Sequence, residues 1–332
     1  MIAKVPGMKC IVTGAAGFIG SHLCEELLRC GHKVTGLDAF IPSYPQVVKH
    51  RNLLDLLRHP NLRFYRVDLR SDPVDELLAD AEVIFHLAAI PGLSQSWADL
   101  ENYWTCNVLA TQKLLEAVHR CGPPLHRFLY ASASAVYGRT AAGDETLPTN
   151  PVSPYGITKL AAEQMCRAYA EAQHIPIVTL RYFSVYGPRQ RPDMGYHRFI
   201  QAILEERPVT VYGDGRQVRG NTYVADCVAG TLAAIHAPVG EVYNVGGGET
   251  ADVWEILHKL ENLAGRKIEV RQEPARIGDL VHTHADTTKL RKQVGWQPQT
   301  PLDQGLARQW EWQSRPVAGG RPGGSVCQTS AT

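Results

Sequence analysis

Residues 8–20 read Met-Lys-Cys-Ile-Val-Thr-Gly-Ala-Ala-Gly-Phe-Ile-Gly: an apolar run, glycines at 14, 17 and 20, then a helical pattern. A buried strand that turns at once into a helix needs such a sequence. Gly14 allows the tight turn, Gly17 lets backbone approach a pyrophosphate, and Gly20 lets the helix pack close on the strand. The helix N-terminus offers free N–H groups and a positive dipole end to phosphates. The first two glycines stand one residue further apart than in the commonest dinucleotide fingerprint. Asp38 follows 18 residues after Gly20, at the end of the next β-rich run. A carboxylate there binds the adenosine ribose hydroxyls and repels a 2′-phosphate, which favours NAD over NADP. Asp68 and Leu69 end the third such run, as candidate adenine contacts or simply as loop residues.

The pattern continues through the first half. Runs at 9–13, 33–38, 62–67, 82–88, 127–132 and 176–181 are rich in Val, Ile, Leu and aromatics. Segments 18–30, 46–58, 73–79, 100–121 and 155–173 carry apolar residues at helical spacing. Such alternation predicts an α/β fold, a doubly wound Rossmann-type parallel sheet covered on both faces. After Arg181 the elements shorten and turn signals thicken (Gly187-Pro188, Gly213-Asp214-Gly215, Gly246-Gly247-Gly248), as expected of a smaller second lobe with a return to the main sheet. Residues 316–332, rich in Gly, Ser, Pro and Thr, read as a disordered tail.

Charge narrows the partners. A net charge of +1 gives no electrostatic reason to expect nucleic acid or a membrane surface. No apolar run approaches the roughly 18 residues of a membrane span, and the eight cysteines form no CxxC pair. A soluble, reduced, cytoplasmic protein is expected. His282 and His284, on one face of a strand-like run, lack a third ligand nearby, so no metal is expected.

The chemistry is concentrated in Ser153-Pro154-Tyr155-Gly156-Ile157-Thr158-Lys159, where Tyr155 and Lys159 share one helical face. A phenol of pKa about 10 is a poor base at neutral pH. A neighbouring ammonium and a cationic nicotinamide both favour phenolate, and lowering the pKa by about three units corresponds to roughly 4 kcal/mol.

With the glycine triplet, Asp38 and this pair, the sequence resembles the extended short-chain dehydrogenase/reductases, the nucleotide-sugar epimerases and dehydratases, to about residue 314. The likeness extends through His86-Leu87-Ala88-Ala89, Asn107-Val108, Ala135-Val136-Tyr137-Gly138, residues 181–188 (RYFSVYGP) and Tyr212-Gly213-Asp214-Gly215. Residues 86–92 (HLAAIPG) with Ser96-Trp97, and 187–194 (GPRQRPDM) with His197-Arg198, are most similar to UDP-glucuronate 4-epimerases.

That resemblance implies a division of labour. Residues 1–182 with about 218–250 would bind NAD, residues 183–217 with 251–314 would bind the nucleotide sugar, and 315–332 would be tail. Gly14, Gly17, Phe18, Ile19, Gly20, Asp38, Asp68, Leu69, Leu87, Ala88, Ala89, Asn107, Ser132, Tyr155, Lys159 and Tyr182 would meet the cofactor. Tyr155 would take the proton from the sugar 4-hydroxyl while hydride leaves C4, and the 4-keto sugar would turn over and be reduced on its other face. Arg219, Arg276 and Asp279 would hold the diphosphate and ribose, Val211 would lie near uracil, and Arg191, helped by Ser134 and Ser184, would grip the uronate carboxylate. A homodimer would pair through helices 100–121 and 155–173, although their apolar stripes equally suit an intramolecular core. One departure stands out. The family's catalytic Ser or Thr aligns with Ala133, which leaves Ser132 and Ser134 as flanking substitutes. The acidic residues of dehydratases and decarboxylases are likewise absent, Ser134 and Ala135 standing in their places.

Overall fold

The computed structural model describes residues 7–275 and 280–315. Arg276, Asp279 and the expected tail from Pro316 onward lie outside the described residues. Seven parallel strands form the central sheet: β1 (Lys9–Thr13), β2 (Lys33–Asp38), β3 (Leu62–Arg66), β4 (Val83–His86), β5 (Arg127–Ala133), β6 (Ile177–Tyr182) and β7 (Val242–Val245). Their spatial order is β7-β6-β5-β4-β1-β2-β3, every neighbouring pair being parallel. The Rossmann-type α/β architecture expected from the alternation is therefore present.

Burial of both faces explains the near-continuous apolar strands. Along β1, Cys10 and Val12 join one core cluster while Ile11 joins the other; Val83 and Phe85 face Ile84 in the same way, as do Leu129 and its neighbours Phe128 and Tyr130. Each fully buried side chain of this size contributes about 1.5–3 kcal/mol relative to exposure. Helix α1 (Phe18–Arg29) covers one face with Leu23, Cys24, Leu27 and Leu28. It is followed by α2 (Gln46–Leu53), α3 (Ala110–Cys121) and α4 (Pro154–Gln173). The six strands read from sequence agree with the structure to within a few residues at their ends.

Two helices differ from expectation. The segment at 46–58 divides into α2 and a 3-10 turn, Leu56–Arg58. The segment at 100–121 is interrupted by a π-turn, Thr105–Leu109, which contains buried Asn107. Outside the main sheet, Thr140–Gly143, Val218–Gly220, Thr250–Ala251 and His282–Ala285 form a second sheet, and Val209–Tyr212 pairs with Val270–Glu273. His282 and His284 are exposed on their strand while Thr283 and Ala285 are buried. No helix among the described residues is long and apolar enough to cross a membrane.

Candidate active site

Strand order reverses between β1 and β4, and in open parallel sheets the crevice at such a switch point, beyond the carboxyl ends of the strands, is where ligands bind. Here the β1–α1 turn and the segment after β4 come together. Gly14 has φ +72°, and a Cβ on it would lie 3.0 Å from the Ala88 backbone nitrogen; a Cβ on Gly20 would lie 2.1 Å from the Gly14 carbonyl oxygen. Only glycines fit. The turn aims the N-terminus of α1 into a long cavity, and this cradle fits a dinucleotide pyrophosphate.

The cavity runs from the glycine turn past Asp38, Asp68 and Leu69 at one end to Tyr155, Lys159, Ser184 and Arg191 at the other. Phe18, Ile19, Leu87, Ala88, Ala89, Ser132, Ala133, Ser134 and Tyr182 also line it. Asn107, Val211 and Arg219 do not belong to that lining. Asn107 acts behind the wall: its Oδ1 accepts the Ile90 N–H at 2.8 Å, and its Nδ2 donates to the Ile90 carbonyl and to Thr158 Oγ1 on α4. Val211, 1% exposed, packs in the main core. Arg219 donates to the Val218 carbonyl and its charge acts on Tyr196.

A buried hydrogen-bond chain fixes the segment after β4. Thr111 Oγ1 donates to the Asn107 carbonyl at 2.7 Å, so it accepts from His86 Nε2 at 2.9 Å. His86 Nδ1 is then an acceptor for Thr13 Oγ1 at 2.8 Å, and Thr13 Oγ1 accepts the Ala88 N–H at 3.0 Å. Burial, then the Lys159 charge, pushes the His86 ring down to about 3, so it stays neutral and holds this tautomer.

Helix α4 is started by Ser153, whose Oγ accepts the Gly156 N–H at 3.1 Å, with Pro154 in the first turn. This places Tyr155, Lys159 and Glu163 one turn apart on the inward face. Burial pushes the Tyr155 phenol up to about 12, opposed by the positive charge of Arg191. Burial also pushes the Lys159 ammonium down to about 8, opposed by Cys166 and Glu163. Desolvation thus outweighs the attraction expected from sequence, and Arg191 is the cation that acts on the phenol. Lys159 Nζ lies 4.4 Å from the centre of the Tyr130 ring, and the Tyr155 ring meets Tyr103 edge-on at 6.2 Å.

The serines beside Ala133 divide. Ser132 Oγ donates to Glu163 Oε2 at 2.9 Å, and that carboxylate also accepts from Arg181. Ser132 is thereby tied into a buried cluster, contrary to a role as proton relay. Ser134, opening the turn after β5, lines the cavity with no such tie to a described residue.

Arg191 sits in a loop bolted to α1. His22 Nε2 bonds the Pro188 carbonyl at 2.9 Å, Arg189 pairs with Glu25 at 2.8 Å, and buried Gln190 accepts from the His197 N–H and from Gln309. Asp193 clasps the Arg191 guanidinium through two bonds. The sequence did not single out Asp193 or Lys49, which pairs with Asp38 inside the cavity wall. Only the Arg-Pro-Asp spacing of 191–193 could have pointed to the first; nothing local marks the second.

The NAD dependent epimerase/dehydratase family profile matches residues 10–246. The chain belongs to this family. It is accordingly an NAD-dependent enzyme of the epimerase/dehydratase class. An uncharacterised UDP-glucose epimerase of Bacillus subtilis, YtcB, is 43% identical over 91% of this chain and 96% of its own. A UDP-glucuronate 4-epimerase of Thermodesulfobacterium geofontis is 35% identical over 91% and 95%. Among solved structures, UDP-glucuronic acid 4-epimerase of Bacillus cereus in complex with UDP-glucuronic acid and NAD superposes with a TM-score of 0.89, at 43% identity, covering 92% of this chain and 99% of that one.

Proposed function

We propose that this enzyme interconverts the C4 epimers of a UDP-hexuronic acid, UDP-glucuronate and UDP-galacturonate. The carrying observation is the guanidinium of Arg191, held in the same cavity as Tyr155 and close enough to act on its phenol. A planar guanidinium binds a carboxylate at two points. Such a grip matters because a 4-keto uronate is a β-keto acid, and holding its carboxylate compensated opposes loss of CO2. Ser134 and Ala135 offer no carboxylate to drive elimination.

Gly14, Gly17, Gly20 and the N-terminus of α1 would hold the pyrophosphate of NAD, and Asp38 its adenosine ribose. Bound NAD+ supplies the hydride acceptor, and in its reduced form the donor for the return. Tyr155, as phenolate, takes the proton from O4 as the C4–H electron pair departs, and gives it back after the 4-keto sugar has presented its other face. Lys159, buried one helical turn further on, would hold the nicotinamide ribose, while the charge of Arg191 favours the phenolate. Ser134 takes the place of the missing hydroxyl at Ala133. Arg219, with Arg276 and Asp279, would hold the nucleotide in the lobe formed by 183–217 and 251–314.

A neutral UDP-hexose is the second reading, favoured by the neutralisation of Arg191 by Asp193 and by the likeness to YtcB. Purified protein with UDP-glucuronate or UDP-glucose, followed by NMR without added NAD, separates the two. Appearance of UDP-galacturonate supports the first reading; conversion of UDP-glucose alone, or a UDP-pentose with CO2, overturns it. The same reading makes the enzyme a homodimer, for which exposed Trp97, Leu100, Trp104 and Ile157 supply apolar surface; sedimentation at the monomer mass would contradict that.

A further inference from the structure

Both carboxylates at the Asp38 end of the cavity already have a cation. Asp68 is clasped by Arg70, with Nε to Oδ1 at 2.9 Å and Nη2 to Oδ2 at 2.7 Å. Asp38 Oδ1 lies 3.1 Å from Lys49 Nζ, both side chains less than a tenth exposed. All four residues line the cavity. A lone carboxylate would turn away a ribose 2′-phosphate by charge repulsion, but an ammonium 3.1 Å from it cancels much of that repulsion.

The two cations are not equally committed. Arg70 spends Nε and Nη2 on Asp68, and Nη1 approaches Asn102. Lys49 makes one hydrogen bond, to Asp38, and no other to a described residue, its ammonium lying over the Tyr44 ring at 5.4 Å and the Phe40 ring at 6.0 Å, although an ammonium has three donors. Its position is fixed from both sides. On α2, Asn52 Nδ2 donates to the Ala16 carbonyl of the glycine turn at 3.0 Å, and Gln46 Nε2 donates to the Phe40 carbonyl at 2.9 Å. Asp38 is equally fixed, accepting the backbone N–H groups of Phe40 at 2.7 Å and Ala16 at 3.2 Å. An ammonium so held keeps N–H donors that a phosphate can accept from.

We propose that Lys49 is a specificity-determining partner of Asp38: the carboxylate retains the ammonium and thereby selects NAD, and removing its charge releases Lys49 to bind the 2′-phosphate of NADP. Selection is thus set by a pair rather than by one acid. The inference rests on the NAD dependence of the enzyme.

The test compares wild type, Asp38→Asn, Lys49→Met and the double variant, each stripped of dinucleotide, refilled from equimolar NAD+ and NADP+, washed and denatured. The released dinucleotides are separated by chromatography, and circular dichroism verifies folding. Asp38→Asn should raise the NADP:NAD ratio at least about tenfold, the range of one charge-assisted hydrogen bond, and adding Lys49→Met should remove most of that gain. Lys49→Met alone should lower the ratio below wild type, an arm that stands even if Asp38→Asn fails to fold. An unchanged ratio in Asp38→Asn, or a gain that survives in the double variant, overturns the proposal. So does an unchanged ratio in Lys49→Met. Wild type that takes up neither dinucleotide would instead overturn the NAD dependence, and this inference with it.

Discussion

Asp193 holds Arg191 by both edges of its carboxylate, Oδ1 accepting from Nε at 3.0 Å and Oδ2 from Nη2 at 2.9 Å. The guanidinium plane is thereby fixed in the wall that carries Tyr155, and its charge draws the buried phenol down. Arg191→Ala should therefore do two separable things. Affinity for UDP-glucuronate should fall about 10- to 100-fold, the worth of a charge-assisted hydrogen bond, while affinity for UDP-glucose stays within a few fold. The Tyr155 phenol, released from the cation, should titrate higher, moving the alkaline-activating limb of the pH–rate profile upward. Steady-state kinetics with both substrates, carried from pH 6 to the highest pH at which the fold survives, tests this; equal losses on both substrates would show that Arg191 only shapes the cavity.

The hydroxyls around Ala133 give a second prediction. Ser132 already donates to Glu163, whereas Ser134 faces the cavity. Ser132→Ala should hold turnover within about threefold, and Ser134→Ala should lower it by about tenfold or more, toward the 10²–10⁴ range of proton-transfer catalysis. Ala133→Thr, which restores a hydroxyl at the end of β5, should raise turnover. Single-turnover measurement of the 4-keto intermediate would locate the change in the proton-transfer step.

The difference between those serines was not legible in the sequence, and the reason is physical. Strands and helices follow from local periodicity, so six sheet strands could be read directly. The seventh, Val242–Val245, has four residues and too little pattern to stand out. The glycine turn and the Tyr155–Lys159 spacing were legible because backbone sterics and helix geometry demand them within a few residues. Ser132 and Ser134 look alike until β6 brings Arg181 and α4 brings Glu163 beneath one of them. Asn107 carries a recognisable motif, yet its work is to brace Ile90 and Thr158. The same holds for charge balance: Lys49 meets Asp38 only after α2 has folded over the β1–α1 turn.

The Glu163–Arg181 pair should be a stability determinant of the site rather than a reacting group. Both side chains are less than a tenth exposed, and Arg181 also lies over the Tyr137 ring at 4.7 Å. Glu163→Gln leaves a buried guanidinium without its counter-charge, a change that costs about 3–5 kcal/mol in comparable pairs. Replacing both by apolar residues, Glu163→Leu with Arg181→Met, should recover much of that loss. Thermal and urea unfolding of Glu163→Leu, Arg181→Met and the double variant gives the coupling energy; additive losses would mean the two residues act independently.

Lys159 should destabilise the fold it serves. Burial moves its ammonium from 10.5 to about 8, which at 1.36 kcal/mol per pKa unit is on the order of 3 kcal/mol. The sign follows from proton counting. Between about pH 8 and 10.5 the unfolded chain keeps a proton that the folded chain has released, so stability rises with pH through that window. Below pH 8 both states are protonated, and the full penalty stands. Lys159→Met removes the group, so at pH 7 the variant should unfold at a temperature at least about 3 °C above wild type, although it turns over little substrate. That advantage should shrink as the pH is raised from 8 toward 10.5. Both proteins must be stripped of dinucleotide, because a ligand bound to the folded state adds its own stabilisation. An advantage independent of pH would trace the gain to packing, and a variant less stable than wild type at pH 7 would show that the ammonium is better compensated in its pocket than its lowered pKa implies.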